Sequence, residues 1–136
     1  MNDMDRQLLE AAAAGKTVEV RTLMQNGANI NVQDKKDAWT PLMLAALGGH
    51  GDVVKVLLKA GARLDILNVS ESSALLYAVK SGDANILRQL LTAAREQGLK
   101  ADRIDLDGAM VELDRKLARL NEMRGDLEEF GLENLA

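Results

Sequence analysis

No cysteine occurs in the 136 residues, so disulfides and thiolate metal sites are excluded and nothing points to an oxidising compartment. Aromatic side chains are almost missing: one Trp, one Tyr and one Phe. A core must therefore be built from Leu, Val, Ile, Ala and Met, which suits thin helical layers better than a large globular interior. His50 is the only histidine, so no His cluster, Ser/His/Asp arrangement or zinc site can be assembled around it. No run of about 20 apolar residues exists to span a bilayer. The N-terminal stretch Met1 to Arg6 carries both signs of charge and lacks the apolar segment of a signal peptide. A cytoplasmic location is the expectation. A basic excess is missing too, since the net charge is −4 and the pI is near 5.0, which argues against a nucleic-acid partner.

What is present is an apolar content of 47%, enough for one domain or a small domain with an appendage. The charge is unevenly placed. Residues 95–136 hold 7 Lys/Arg against 11 Asp/Glu, leaving 10 of each in the first 94 residues, so the last segment accounts for the whole excess. The first part is periodic. Leu8, Ala11, Ala12, Gly15, Leu23 and Gly27 return 34 positions later as Leu42, Ala45, Ala46, Gly49, Leu57 and Gly61. Leu42, Ala45, Gly49, Val53, Leu57 and Leu58 return again 33 positions on as Leu75, Ala78, Gly82, Ile86, Leu90 and Leu91. A period near 33 is the signature of a solenoid.

The middle unit explains itself physically. Thr40 can cap the free N–H groups of a helix, and Pro41 at its first position gives up only an N–H with no helical partner. Leu42, Leu44, Ala45 and Ala46 follow, with alanines where helices of neighbouring units must approach closely. Gly48-Gly49 ends the helix. The next helix, from about Asp52 to Ala60, sets Val53, Val56 and Leu57 at helical spacing, and Val54 and Leu58 widen the stripe beyond a half-exposed face. That helix is expected to be mostly buried, with Gly61 at its end and an extended segment over Ala62 to Asn68.

The run Trp39-Thr-Pro-Leu-Met-Leu-Ala-Ala, Gly49-His50, Val54-Lys-Val-Leu-Leu and Gly61-Ala62 resembles, in order, the ankyrin repeat. The first unit keeps Ala11-Ala12, Gly15, Leu23-Met24 and Gly27-Ala28-Asn29-Ile30-Asn31, with no hairpin before it. The third departs further, with Ser73-Ala74 for Thr-Pro, Tyr77-Ala78-Val79 for Leu-Ala-Ala and Ala94 for the closing Gly, so its second helix is expected to run to about Gln97 and stop at Gly98. One residue is extra in the loop before Thr40, where Asp34-Lys-Lys-Asp37 makes a charged hairpin tip. The resemblance covers residues 5–94.

After that the pattern changes. Leu106, Met110, Leu113, Leu117, Leu120 and Leu127 fall at alternating spacings of four and three, broken by Arg124, which reads as an amphipathic helix from about Asp105 to Arg124. Asp126 with Glu129 resembles a capping box opening a short final helix. Three uses compete: a cap for the apolar edge of the third unit, which is favoured because terminal repeats need one; pairing with a second copy or a partner helix; and a helix disordered until bound.

Several motifs resolve into structure. Gly15-Lys16-Thr17 ends like a phosphate-binding loop, but position 10 is Glu where that loop needs Gly. Asp105, Asp107 and Gly108 echo a calcium loop whose first ligand would be Arg103 and whose last would be Asp114. Asn68-Val69-Ser70 fits a glycosylation sequon, which matters only in a secreted chain. By the resemblance, His50 makes local hydrogen bonds across the inter-helix turn.

The expected architecture is an all-α ankyrin-repeat solenoid of stacked helix pairs with hairpin loops, plus a C-terminal amphipathic helix. Residues 1–98 form the repeat domain, with units about 4–30, 37–64 and 70–97, and 99–136 form a cap or oligomerisation segment. The expected role is a non-catalytic protein-binding module with no cofactor and no metal, taking a protein partner rather than nucleic acid or membrane, with monomer favoured over homodimer. The alternative is a scaffold that dimerises through the C-terminal helix. Family geometry, carried over position by position, puts the contact set at Lys36, Asp37, Trp39 and Leu47 in the middle unit and Val69, Ser70, Ser72, Lys80 and Ser81 in the third. Ala13 and Ala14 hold the equivalent places in the first and are too small to be anchors. Trp39 is the strongest single candidate, its rival role being packing on the neighbouring hairpin.

Overall fold

Six helices follow one another in pairs in the computed structural model, which describes residues 1–98 and Arg115. They are α1 (Asp3–Ala14), α2 (Thr17–Gln25), α3 (Pro41–Leu47), α4 (Gly51–Lys59), α5 (Ala74–Ser81) and α6 (Ala84–Glu96). No strand occurs among the described residues. The C-terminal helix expected over 105–124, the capping box at Asp126 and the calcium-like motif at 103–114 all lie outside the described residues.

Side-chain caps set the starts of α3, α5 and α6. Thr40 Oγ1 accepts from Met43 N at 3.2 Å with Pro41 in the first turn, and Ser73 Oγ does the same for Leu76 N at 3.4 Å. Ser therefore replaces Thr at the third unit without loss of the cap. Asp83 Oδ1 caps α6 through Asn85 N and Ile86 N at 3.0 and 3.1 Å. α6 continues past Ala94 to Glu96, with Gln97 as its C-cap and Gly98 following at φ +69.

The helices form two rows. α3 packs between α1 and α5, and α4 packs between α2 and α6. The inner row is sealed by Leu8, Ala11 and Ala12, then Leu42, Ala45 and Ala46, then Leu75 and Ala78, all buried. The outer row contributes Val20, then Val53, Val54 and Leu57, then Ile86, Leu90 and Leu91, all fully buried. Small inner-row residues let the helices approach, and the branched outer residues fill the space between rows.

Side-chain oxygens fasten the closing loops. Asn29 N donates to Asp5 Oδ1 at 2.8 Å within the first unit, and two amides bridge neighbouring units, with Arg63 N donating to Asn31 Oδ1 at 3.0 Å and Leu64 N to Gln97 Oε1 at 3.1 Å. The Gln97 amide also donates to Ala62 O at 2.8 Å. No buried side-chain N or O among the described residues lacks a partner, as a well-formed stack requires.

His50 departs from expectation. Its Nε2 lies 3.0 Å from the carbonyl of Ala13, 37 residues back, so it bridges two units instead of closing its own turn. The ring sits between Gly15 and Gly48: a Cβ on Gly15 would lie 2.5 Å from Nδ1, and one on Gly48 would lie 2.7 Å from Nε2. Two glycines are thus required for one histidine to reach across the seam. Gly15-Lys16-Thr17 joins two helices, with Gly15 at φ +75, which is a helix stop and not a phosphate loop.

Candidate functional site

Two hairpin tips stand side by side along the inner row. The first is closed by Asp34 N to Trp39 O at 3.0 Å, and Asp37 N donates to Asp34 Oδ1 at 2.8 Å. The second is shorter by one residue, closed by Asn68 N to Ser72 O at 3.1 Å. Val69 N donates to Asp37 O at 3.0 Å, and the Gln33 amide donates to both Ala38 O and Leu67 O at 3.1 Å, so the two tips are locked to each other. Both tips turn on a non-glycine residue in the left-handed region, Ala38 at φ 62 and Glu71 at φ 56. Such positions cost stability and hold the tip in one conformation.

Asn68 organises the second tip. Its Oδ1 accepts from Ser70 N and Ser72 N at 3.0 and 3.1 Å, and its Nδ2 donates to Tyr77 Oη at 2.7 Å. The residue is buried and both its amide oxygen and its amide nitrogen are hydrogen-bonded within the protein, so the sequon asparagine is not presented for glycosylation. The Tyr77 ring in turn carries Trp39, with centroids 4.3 Å apart and planes tilted by 31°. Lys80 Nζ lies 5.5 Å from the Tyr77 centroid, within cation–π range.

The contact residues expected from sequence fall into three environments. Lys36, Val69, Ser70 and Lys80 are exposed, and Leu47, at the end of α3, is 44% exposed. Asp37 and Trp39 are half-buried, the first through the tip hydrogen bonds and the second through Tyr77. Ser72 is 7% exposed with its N–H on Asn68 and its hydroxyl donating to Ser70 O at 3.3 Å, so its polar groups are spent inside the loop. Ser81 is half-buried, its hydroxyl donating to Ala78 O at 2.9 Å and accepting from Asp83 N at 3.4 Å. Tyr77 was not among the candidates. The signal available was its register: it occupies the position of Leu44 one unit on, on the inner helix facing the Trp39 hairpin.

Electrostatics contribute little chemistry here. Arg63 and Asp65 form a two-bonded pair at 3.0 and 2.6 Å on the closing loop. The guanidinium hydrogen bonds hold the Asp65 carboxyl below the ordinary carboxylate range, against a smaller opposing effect of desolvation, and Arg63 is raised in return by the same contact. Among the described residues no group of three or more His, Cys, Asp or Glu could hold a metal ion. No helix among them is long and apolar enough to cross a membrane.

A stack of helix pairs joined by mutually locked hairpins defines a helical-repeat protein. The chain belongs to the ankyrin-repeat family: the family profile for ankyrin repeats in three copies matches residues 8–102, more than half of the sequence. Ankyrin repeats generally mediate protein–protein interaction. Similar proteins include human ankyrin repeat domain-containing protein 40, 42% identical over 65 residues, covering 48% of this chain and 18% of that protein. Human mitochondrial disaggregase is 44% identical over 61 residues, covering 45% of this chain and 8% of the relative. Ankyrin repeat protein nuc-2 of Neurospora crassa is 34% identical over 87 residues, covering 63% and 8%. The chain therefore spans less than a fifth of the length of these relatives.

Proposed function

We propose that the chain binds a partner protein, without catalysing a reaction, through its two hairpin tips and the exposed inner-helix side chains. The observation that carries this reading is the mutual locking of the tips through Val69 N to Asp37 O and the two Gln33 bonds, which fixes exposed Lys36, Val69 and Ser70 before any partner arrives. Preorganised loops lose little entropy on binding, so a modest contact area can yield useful affinity. Val69 at 64% exposure and Leu47 at 44% supply apolar contact, and Lys36 and Lys80 flank it with positive charge. Trp39 adds an edge whose other face rests on Tyr77. Ser72 and Ser81 support the loop and the helix end and are left out of the direct contact set.

The division into a repeat domain over 1–98 and a separate segment over 99–136 is part of the same proposal, as are a cytoplasmic location, a monomeric chain, and a protein rather than a nucleic acid or membrane as partner. Light scattering of the intact chain tests the oligomeric state: a dimer that becomes a folded monomer on truncation after Gly98 replaces this reading with the self-assembling scaffold. The binding face is tested by quantitative affinity capture with the wild type against a Val69→Asp/Leu47→Asp chain, followed by calorimetry with any purified partner. Loss of the partner with an unchanged melting temperature supports the face. Equal capture by both chains refutes it.

A further inference from the structure

The outer row holds a feature that the hairpin face does not use. Between α4 and α6 lies a groove of about 510 Å³, lined on one side by Lys55 and Lys59 and on the other by Arg88, with Leu58 and Ala93 among its apolar lining. None of the contact residues assigned to the hairpins or inner helices lines it. Lys55 and Lys59 are one helical turn apart on the same face of α4, so their ammonium groups point the same way. Among the described residues none of these three cations forms an ion pair, whereas Arg6, Lys16 and Arg63 each have a carboxylate partner.

Two further side chains in the groove can donate to an anion, the amides of Asn85 and Gln89, whereas the Thr92 hydroxyl and the Gln97 amide already donate to Arg88 O and Ala62 O, and Glu96 is the one carboxylate of the lining among the described residues. The repeat register sharpens this, because Asn85 stands where the preceding unit has Asp52, so a neutral amide takes the place of a negative charge beside this groove. Three cations against one carboxylate, Glu96, over a 510 Å³ concavity form a local positive field.

We infer that the α4–α6 groove is a second binding site, for an acidic peptide segment of a partner protein that sets carboxylates on Lys55, Lys59 and Arg88 and an apolar side chain on Leu58 and Ala93. The peptide is favoured over nucleic acid on two grounds. Three cations are too few to track a phosphate backbone. The mixed apolar and amide lining fits a side chain with a carboxylate neighbour better than a sugar. This site is independent of the hairpin face.

The test uses the full chain and a fluorescein-labelled glutamate-rich peptide with one central leucine, read by fluorescence anisotropy at low and physiological salt. Saturable binding that weakens with salt is expected. The Lys55→Gln/Arg88→Gln chain is expected to bind about tenfold more weakly, the equivalent of one charge-assisted hydrogen bond. The Lys36→Gln/Lys80→Gln chain, altered only on the hairpin face, is expected to bind as the wild type does. All four side chains are exposed, so circular dichroism should be unchanged in both variants. Equal weakening in the two variants would show charge-driven binding with no dedicated groove and overturn the inference. So would no weakening in the groove variant, or tighter binding of a single-stranded oligothymidylate than of the peptide.

Discussion

Replacing Gly15 with Ala should destabilise the chain far more than the same change at Gly49 or Gly82. The three glycines share one repeat position and one backbone conformation, with φ of 75, 74 and 74°. A left-handed Ala costs about 1–2 kcal/mol at each. At Gly49 and Gly82 an added Cβ meets nothing within 4 Å, so that penalty is the whole effect. At Gly15 it would sit 2.5 Å from Nδ1 and 2.8 Å from Cε1 of His50, a ring already held on its other side by Gly48. Overpacking costs about 1–3 kcal/mol, and a displaced ring loses its bond to Ala13 O, worth a net of about 1 kcal/mol. Gly15→Ala should therefore cost about 3–6 kcal/mol against about 1–2 for the other two, measured by urea denaturation followed by far-UV circular dichroism. The His50→Ala background isolates the cause: there the excess at Gly15 should disappear, because the obstructing ring is gone. An excess that survives in His50→Ala, or a Gly15→Ala cost within about 0.5 kcal/mol of Gly49→Ala, would refute the inter-unit role of His50.

Trp39→Ala should lower stability as well as affinity, by about 1–3 kcal/mol, since a half-buried ring loses area and its stack on Tyr77. A Trp39/Tyr77 double-mutant cycle should return a coupling of about 0.5–1.5 kcal/mol, and zero coupling would mean the stack contributes nothing. Leu57→Ala, at a side chain with no exposure, should cost about 2–5 kcal/mol in the same denaturation assay, and a cost under about 1 would contradict its burial. Glu71→Gly should stabilise the chain by about 1 kcal/mol by relieving a left-handed backbone, offset in part by the greater freedom of the unfolded chain; destabilisation would mean the Glu71 side chain holds the tip. Asp65→Asn should melt slightly lower than wild type at neutral pH, with the difference fading as pH falls. The sign follows because the folded carboxyl is depressed, so its contribution exists above the unfolded pKa and is lost on protonation.

Whatever depends on one unit was legible from the amino acids. The 33 to 34 residue register placed the helix pairs, Thr40-Pro41 announced the start of α3, and the apolar stripe of α4 anticipated the burial of Val53, Val54 and Leu57, although Val56 and Leu58 of the same stripe are only half-buried. What depends on the seam between units was not. His50 gave no sign of Ala13 as its partner, because that contact requires the rotation between stacked units and two glycines that happen to clear its path. Ser72 looked equivalent to Trp39 by position, yet the second tip is one residue shorter and is gathered around Asn68, which draws Ser72 inward. Position-by-position transfer carries chain order faithfully and solvent exposure poorly, since exposure follows from loop closure. The basic groove between α4 and α6 was hidden for the same reason: Lys55 and Arg88 are 33 residues apart and meet only when two units stack.

The two seams are fastened differently, and this bears on how the proposed binding face can be probed. Between the first and second units the inner-row fastening is His50 on Ala13 O. Between the second and third, Asp83 occupies the histidine position and caps its own helix instead. That seam relies on Trp39 against Tyr77, on Val69 N to Asp37 O, and on Gln33 spanning Ala38 and Leu67. The hairpin face straddles this seam, so its shape and its stability share the same residues. A loss of affinity on removing Trp39 consequently has two sources, a lost contact and a loosened pair of tips, and binding data on that variant alone are unable to separate them. Leu47 and Val69 do separate them, because their side chains are exposed and the seam bond of Val69 is made by its backbone. Substitution there removes contact and leaves the fastening in place.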